Sequence, residues 1–567
     1  MLDVLASESR ADVEQMSTYP TINDANSTTR IKDLGDSTKS NHSWALVAKW
    51  LKTCREQHVS CSEKDDDDRS WCPTRLLELG NEPSGEDVVK LIETAYVKRD
   101  GDYITLSHCW GNGTLIRTLR ENLQDFLIEL PSLPKTFHDA ILATRMLGAR
   151  YIWIDSLCII QDDADDWAKE ASLMHKVYKN AMCNLSASAS RNSNEGLFRR
   201  RAPRFLSELK IKLRNTDYDV IEEHLFDREV EDGPLQQRAW VLQERLLSPR
   251  IIHFGHSQLS WECNGLCACE LFPDGLPDDL HYNGKLQLSY LIQAAASQTE
   301  LWKYNQAKFR IWDNVLQSYF KRRITFQSDL MPALSGIAKH IGKLLGDTYL
   351  AGIWKNDSTM FQLAWHCTGE LSSRPDYRAP TWSWISVDSY SAVQAARLKD
   401  SDRIDNSGKY FYWSSLSKVV DEQIYSASGD IFSHVKDGYI TVEGPLNHIS
   451  IRSGIGYLDE IKMEIEFDVL FDIPENLYIL YLYHDDEVDY SEDWENGDFR
   501  YYYVYLVLTT STKHPNSYER CGLATAQYFD PYGEEKHLEP PMDVRNGEKL
   551  ACEEYLGRER GHRFRIY

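Results

Sequence analysis

The chain has 567 residues, 42% of them hydrophobic and 11% aromatic, which suits two or three packed domains better than one core. Its 63 basic and 87 acidic residues leave a net charge of −24, a field that opposes nonspecific nucleic-acid binding. No apolar run is long enough to span a bilayer, and the first residues lack the basic and apolar regions of a secretory signal. The expectation is therefore a cytoplasmic protein whose twelve cysteines are reduced thiols.

Residues 1–40 are rich in Ser, Thr, Asp and Asn with few apolar anchors, so they are expected to form a disordered tail. Residues 41–100 read as a lead-in segment. Within it, Trp44–Leu51 has the spacing of a short amphipathic helix, Asp65–Asp68 is an acidic loop and Pro83–Asp87 a turn. Cys54, His58 and Cys61, with Cys72 further on, supply three thiols and an imidazole of the kind zinc uses. Their spacing is irregular and no knuckle pattern is present, so they are read as structural thiols and no metal is expected. Cys263, Cys267 and Cys269, expected in a loop, carry no more weight.

An α/β pattern occupies residues 101–270. Tyr103–Ser107 is a strand, residues 134–147 a helix with Phe137, Ile141, Leu142 and Met146 on its apolar side, and Tyr151–Ile154 the next strand. A helix over Asp165–Asn180, a strand over Cys183–Ala187 and a helix over Leu235–Leu247, opened by Pro234, follow. Arg250–Phe254 and Gln258–Cys263 are strands. Residues 271–345 read as a helical segment with Trp302, Phe309, Trp312 and Tyr319 on one face. Residues 346–567 read as a β-rich domain, with alternating runs such as Gly438–Glu443 and Tyr501–Leu508. There is no repeat of fixed period and no phosphate-binding P-loop, since Gly342-Lys343 is followed by Leu.

The densest chemistry lies in Tyr151–Ala181. A four-residue apolar strand runs into Asp155, Cys158, Gln161, Asp162 and Asp163, and a helix with Trp167, Glu170, Met174 and Tyr178 follows. Sites of α/β proteins gather where a strand ends and a loop leads into a helix. Asp155 is placed to fix a ligand hydroxyl, to cap the next turn or to pair with an arginine. Cys158 would act as a nucleophile only with a lowered pKa and a base beside it, for which His108 is the candidate; a buried structural thiol is the plainer reading. Ser107-His108-Cys109-Trp110-Gly111 ends the first strand. There Gly111 permits a tight turn or a close ligand approach, and Trp110 either stacks on a base or caps the core. Arg238, Gln243, Glu244 and Arg245 share one short helix. The arginines suit phosphate through their bidentate fork, or else pair with Glu244 or Asp155 in a buried network. Trp240 reads as core.

Three ordered segments carry a family resemblance: YITLSHCWG (Tyr103–Gly111), the WID…C…QDD…W..E…M..VY..A pattern within Tyr151–Ala181, and RAWVLQERLLSPRIIHF (Arg238–Phe254). Together they resemble the fungal heterokaryon-incompatibility (HET) domain. SWCPTRLLEL (Ser70–Leu79) resembles the segment that often precedes that domain. RITFQSDLMPALSGIA (Arg323–Ala338) and YRAPTWSWISVD (Tyr377–Asp388) resemble segments that often follow it. The resemblance implies a role in fungal nonself recognition and programmed cell death. It also implies an α/β fold with a TIR-like (flavodoxin-like) sheet core, a helical extension and a C-terminal β-rich domain.

Some TIR domains cleave NAD, so NAD is implied as a substrate rather than a resident cofactor. Glu170, one helical turn after Trp167, is then the catalytic carboxylate that stabilises an oxocarbenium-like centre and holds the ribose hydroxyls, with Asp155 as the second catalytic residue. Ser107, His108, Trp110, Gly111, Cys158, Gln161, Trp167, Arg238, Gln243 and Glu244 would line the dinucleotide site. The plainer reading of Glu170 is a solvated helix residue paired with Lys169 or Lys176. The alternative function is a noncatalytic signalling module that works by self-association or by binding another incompatibility protein, with no nucleic-acid partner.

Overall fold

The computed structural model describes residues 16–20, 35–62, 71–80, 88–97, 99–111, 113, 115–201, 210–213, 216–222, 224–277, 285–286, 288–289, 292, 301–368, 371–388, 392–394, 415–426, 429–452, 455–458, 461–474, 476–488, 499–530, 550–557 and 560–567. The expected tail up to residue 34 (Met16–Pro20 apart), the acidic loop Asp65–Asp68 and the turn Pro83–Asp87 lie outside the described residues. The chain divides into two compact units, Met1–Gln293 and Ala294–Tyr567.

The first unit contains, in order, β1 (Met16–Pro20), α1 (Asn41–Gln57), β2 (Arg75–Leu79), β3 (Val89–Glu93), β4 (Tyr103–Ser107), α2 (Leu123–Phe126), α3 (Lys135–Met146), β5 (Tyr151–Ile154), α4 (Asp155–Cys158), α5 (Ala164–Asn180), β6 (Cys183–Ser186), β7 (Lys210–Leu213), β8 (Thr216–Glu222), α6 (Ala239–Leu247), β9 (Arg250–Phe254), β10 (Leu259–Cys263) and β11 (Cys267–Cys269). β1, β8 and β7 form a small antiparallel sheet. The main sheet has eight strands in the order β11-β10-β9-β6-β4-β5-β2-β3. Its four central strands are parallel, and antiparallel strands complete both edges. The expected α/β core is thus a mixed sheet with a parallel centre.

Every residue of β4, β5, β6 and β9 is buried, the pattern of parallel strands covered on both faces. From β4 the chain passes through α3 to β5 on one side, then through α5 to β6 on the other side of β4. The direction of winding therefore reverses at β4, which is where such sheets open a crevice at their carboxyl ends. Leu106 pairs with both Ile154 and Leu185, and Ser107 with Ser186, so those ends are level.

The helices follow from their caps and periodicity. Asp163 caps α5 by accepting from the backbone of Asp165 and Asp166, and Glu170, Ala171, Met174, Val177 and Tyr178 form its buried face at helical spacing. Ser40 caps α1 through the Ser43 backbone, and the helix runs on to Gln57, past the expected end at Leu51, because Cys54 continues the buried face. The helix expected from Leu235 begins at Ala239. Residues before it make tight-turn bonds instead (Gln236 N to Gly233 O, 3.0 Å; Arg238 N to Leu235 O, 3.2 Å). Cys267–Cys269, expected in a loop, is an edge strand paired with β10.

In the second unit, α7 (Leu301–Phe320) and α8 (Pro332–Leu345) are followed by the β12 (Thr348–Leu350) and β13 (Ile353–Lys355) hairpin, α9 (Thr359–Gln362), and the β14 (His366–Thr368) and β15 (Ala392–Gln394) pair. The indoles of Trp312 and Trp384 both donate to Gly352 O at 2.9 Å. The β-rich part comprises β16 (Lys418–Ser426), β17 (Val435–Gly444), β18 (Leu446–Arg452), β19 (Ile455–Leu458), β20 (Ile461–Phe467), β21 (Leu477–Val488), β22 (Phe499–Thr510), β23 (Ser517–Asp530), β24 (Glu554–Tyr555) and β25 (His562–Ile566). Strands β18 to β23 pair around a closed antiparallel ring, because β23 bonds both β20 and β22. Closure removes the free edges of those strands. Among the described residues no helix is long and apolar enough to cross a membrane.

Candidate active site at the carboxyl ends of the parallel strands

β4 ends at Ser107, β5 passes directly into the single turn α4, and α6 enters with Arg238 as its N-cap residue. These three chain segments bring Ser107, His108, Trp110, Asp155, Arg238 and Glu244 together. Asp155 Oδ2 accepts from Trp110 Nε1 at 2.9 Å, and its Oδ1 accepts from the Ser156 backbone at 2.7 Å. Gln161 Nε2 donates to Asp155 O at 3.1 Å and so braces the loop behind it. Arg238 Nη1 donates to the carbonyl of His108.

His108 is buried edge-on against Phe137, and its Nδ1 stops 3.6 Å from Asp155 Oδ1, beyond hydrogen-bonding reach. Burial pushes the imidazole down to about 4, so it is neutral at pH 7. Neither ring nitrogen has a hydrogen-bond partner among the described residues. Glu244 is buried too, and burial pushes its carboxyl up to about 7. The Ser107 and Tyr178 hydroxyls bond to it and Arg238 favours its charge, while Asp155 opposes that charge. Burial, with Glu244 and Asp155 nearby, also pushes the Tyr178 phenol well up, which keeps it a proton donor. Ser107 is held from behind by Asn184, whose amide donates to Ser107 Oγ at 2.9 Å.

The remaining expected site residues have other surroundings. Glu170 is 1% exposed, so the solvated residue paired with Lys169 or Lys176 is not what the fold makes of it. Burial pushes its carboxyl up, the Thr74 hydroxyl and Arg75 pull it down, and its Oε1 has no hydrogen-bond partner among the described residues. Arg75 itself makes a forked pair with Asp166 (2.6 and 3.0 Å) and donates to Cys158 O at 3.0 Å. Trp167 packs edge-on against Trp240, 6.2 Å between ring centres. Cys158 is completely buried, and burial pushes its thiol up to about 12, too high for a nucleophile at neutral pH. The condition set for a nucleophilic Cys158 with His108 as its base, a lowered thiol pKa, is not met.

Gly111 has φ +74, and a Cβ there would fall 2.5 Å from Asn192 Cβ, so its freedom serves a turn against that loop. Gln243 is buried on α6, with Nε2 unpartnered among the described residues. Arg245 is not open to a phosphate. Its guanidinium is buried and engaged by Glu262 and Glu231, both at 2.7 Å.

Sequence reasoning did not select Tyr178, Arg75 or Asp166 as site residues. Tyr178 falls within the second family-like segment and Arg75 within the flank before the domain, so both signals were present without a role attached.

Chemically, the strand ends join a carboxyl poised near neutrality, a second carboxylate, a neutral imidazole, a phenol and an indole. That set serves general acid–base work and the stabilisation of a positive centre. No curated protein and no solved structure matches the chain significantly. Residues 103–244 match the model of the family described as Heterokaryon incompatibility protein (HET). The match opens on the first residue of β4 and closes on Glu244 of α6, two of the three segments that build the cluster, so this part of the chain is similar to the HET family.

Proposed function

We propose that this HET-like domain hydrolyses the nicotinamide–ribose bond of NAD, and that the protein acts from the cytoplasm in fungal nonself recognition and programmed cell death. One observation carries the reading: Glu244, a buried carboxyl at about 7, shares the strand ends with Asp155. The C–N bond breaks with its electron pair leaving on the nicotinamide nitrogen. Asp155 stabilises the electron-poor ribose carbon, and water adds to that carbon while Glu244 takes its proton. Trp110 and Arg238 are half-buried, so each retains surface with which to hold the dinucleotide, one by stacking and one by phosphate pairing. The strand order supports the TIR-like, flavodoxin-like reading of the fold: the parallel strands run second, first, third, fourth across the sheet, with the cluster at the reversal.

The test is NAD consumption and nicotinamide release by the purified full chain. Glu244→Gln and Asp155→Asn should each lower kcat by about 100-fold or more. The wild-type rate should rise through a pKa of about 7 as Glu244 ionises. An unchanged rate in Glu244→Gln overturns its role. The buried carboxyl of Glu170, whose Oε1 has no hydrogen-bond partner among the described residues, favours a second placement of the same chemistry. Loss of turnover in Glu170→Gln, with Glu244→Gln active, would select it. A wild-type chain without turnover would favour the noncatalytic module, working through self-association or an incompatibility partner.

A further inference from the structure

A second cluster lies outside the residues that match the family. α1 carries Cys54, His58 caps its end, and a single 3-10 turn brings round Cys61. Cys263, the last residue of β10, joins them from about two hundred residues later in the chain. One ligand atom from each of the four lies within 4.8 Å of all the others. His58 Nδ1 is 3.3 Å from Cys263 Sγ.

We propose that Cys54, His58, Cys61 and Cys263 bind one zinc ion, which ties α1 to the end of β10. Zinc holds thiolate sulfur at about 2.3 Å and imidazole nitrogen at about 2.0 Å in a tetrahedron, which puts sulfurs roughly 3.8 Å apart. The 4.8 Å limit on the four ligand atoms is about 1 Å wider than that. The three cysteines are buried and His58 is half-buried, as in closed structural sites, which have no open position for substrate. The charge is provided for as well. Three thiolates around a divalent ion leave one net negative charge, and Arg250 Nε sits 3.2 Å from Cys54 Sγ. The same guanidinium donates to Cys61 O at 3.0 Å and Met182 O at 3.3 Å, which fixes it against the cluster. Backbone N–H groups of Asn264 and Gly265 point at the Cys61 and Cys263 sulfurs, the outer hydrogen bonds that thiolate ligands require. A Cβ on Gly265 would come within 2.9 Å of His58 Cγ, so only glycine lets the ring lie there. Cys72, the fourth member suggested by sequence spacing, is not in the set.

The ligands flank the family-matched residues 103–244 on both sides, so the ion would join the two ends of the unit. The test is metal content of the full chain, purified without chelator from zinc-supplemented cells, together with a count of free thiols. One zinc per chain is expected, lost in Cys263→Ser and kept in Cys72→Ser. Arg250→Met should weaken zinc binding by about 10- to 100-fold. Because Cys263→Ser puts a hydroxyl at a fully buried position, cobalt exchanged into the wild-type chain gives a readout independent of that variant's folding. Tetrahedral ligand-field bands with strong thiolate charge transfer are expected. Substoichiometric zinc, a disulfide among the three cysteines, a cobalt spectrum without thiolate bands, or equal loss in Cys72→Ser each overturns the proposal.

Discussion

Glu244 and Glu262 belong to the same unit, both are buried, and burial pushes both carboxyls up. They end on opposite sides of the ordinary range. At Glu262 the Arg245 guanidinium outweighs burial, donating at 2.7 and 3.0 Å, and His253 Nε2 adds a contact at 3.1 Å. That carboxyl is held well below 4.5. At Glu244 the nearest cation, Arg238, spends a donor on the His108 carbonyl, Asp155 adds like charge, and the carboxyl stands at about 7. Glu244 and Arg245 are neighbours in sequence, yet one helix turns them into two different networks. The satisfied network locks α6 to β10. The other is left short of positive charge, and groups held in that condition at strand ends are candidates for proton transfer.

The comparison breaks most visibly through the arginine. Arg245→Met leaves the buried Glu262 and the partly exposed Glu231 without that cation, and uncompensated burial of a charge such as Glu262 typically costs about 3–5 kcal/mol. Urea denaturation of the variant should show a loss of that order. A loss below about 1 kcal/mol would mean that Arg245 is not what stabilises the buried carboxylate.

The two glutamates should also respond to pH with opposite sign. Glu262 has a depressed folded pKa, so its contribution is present above the unfolded value of 4.5 and is lost as pH falls through the folded one. Glu244 has a raised folded pKa, so its contribution is present below 4.5 and is lost as pH rises from 4.5 to about 7. The folded state binds the extra proton across that window. Glu244→Gln should therefore gain stability relative to wild type as pH rises through it, by on the order of 1–3 kcal/mol at pH 8. Thermal melts of both proteins across pH measure the difference. A gap that does not change with pH would remove the premise that Glu244 ionises at a cost.

Much of this site was legible because parallel strands, covered on both faces, spell short apolar runs that end in polar residues. Tyr103–Ser107 and Tyr151–Ile154 are such runs, and the sequence alone places His108 and Asp155 just beyond their ends. The assignment of roles was less legible. Glu170 looked solvated because Lys169 and Lys176 share its helix, and only the packing of α5 near Arg75 buries it. Glu244 looked like a network partner because Arg245 follows it, and the two diverge only once α6 has docked. Cys263 had no local signal connecting it to Cys54, since the packing of α1 against β10 supplies that proximity. In each case a contact distant in sequence set the chemistry.

The smallest effect tests whether burial, rather than distance, separates the two kinds of pair. Lys49 Nζ lies 2.7 Å from Asp274 Oδ1, the same separation as Arg245 Nε to Glu262 Oε2. The first pair has side chains 56% and 52% exposed, and the second 5% and 1%. In water the Coulomb gain of the exposed pair is screened and is offset by the entropy of holding two long side chains. Lys49→Met should then change stability by no more than about 0.5 kcal/mol, and added salt should erase even that. The same urea titration used for Arg245→Met reads it. Should the exposed pair cost as much as the buried one, contact distance alone would govern both, and the contrast between Glu244 and Glu262 would have to be sought elsewhere than in desolvation.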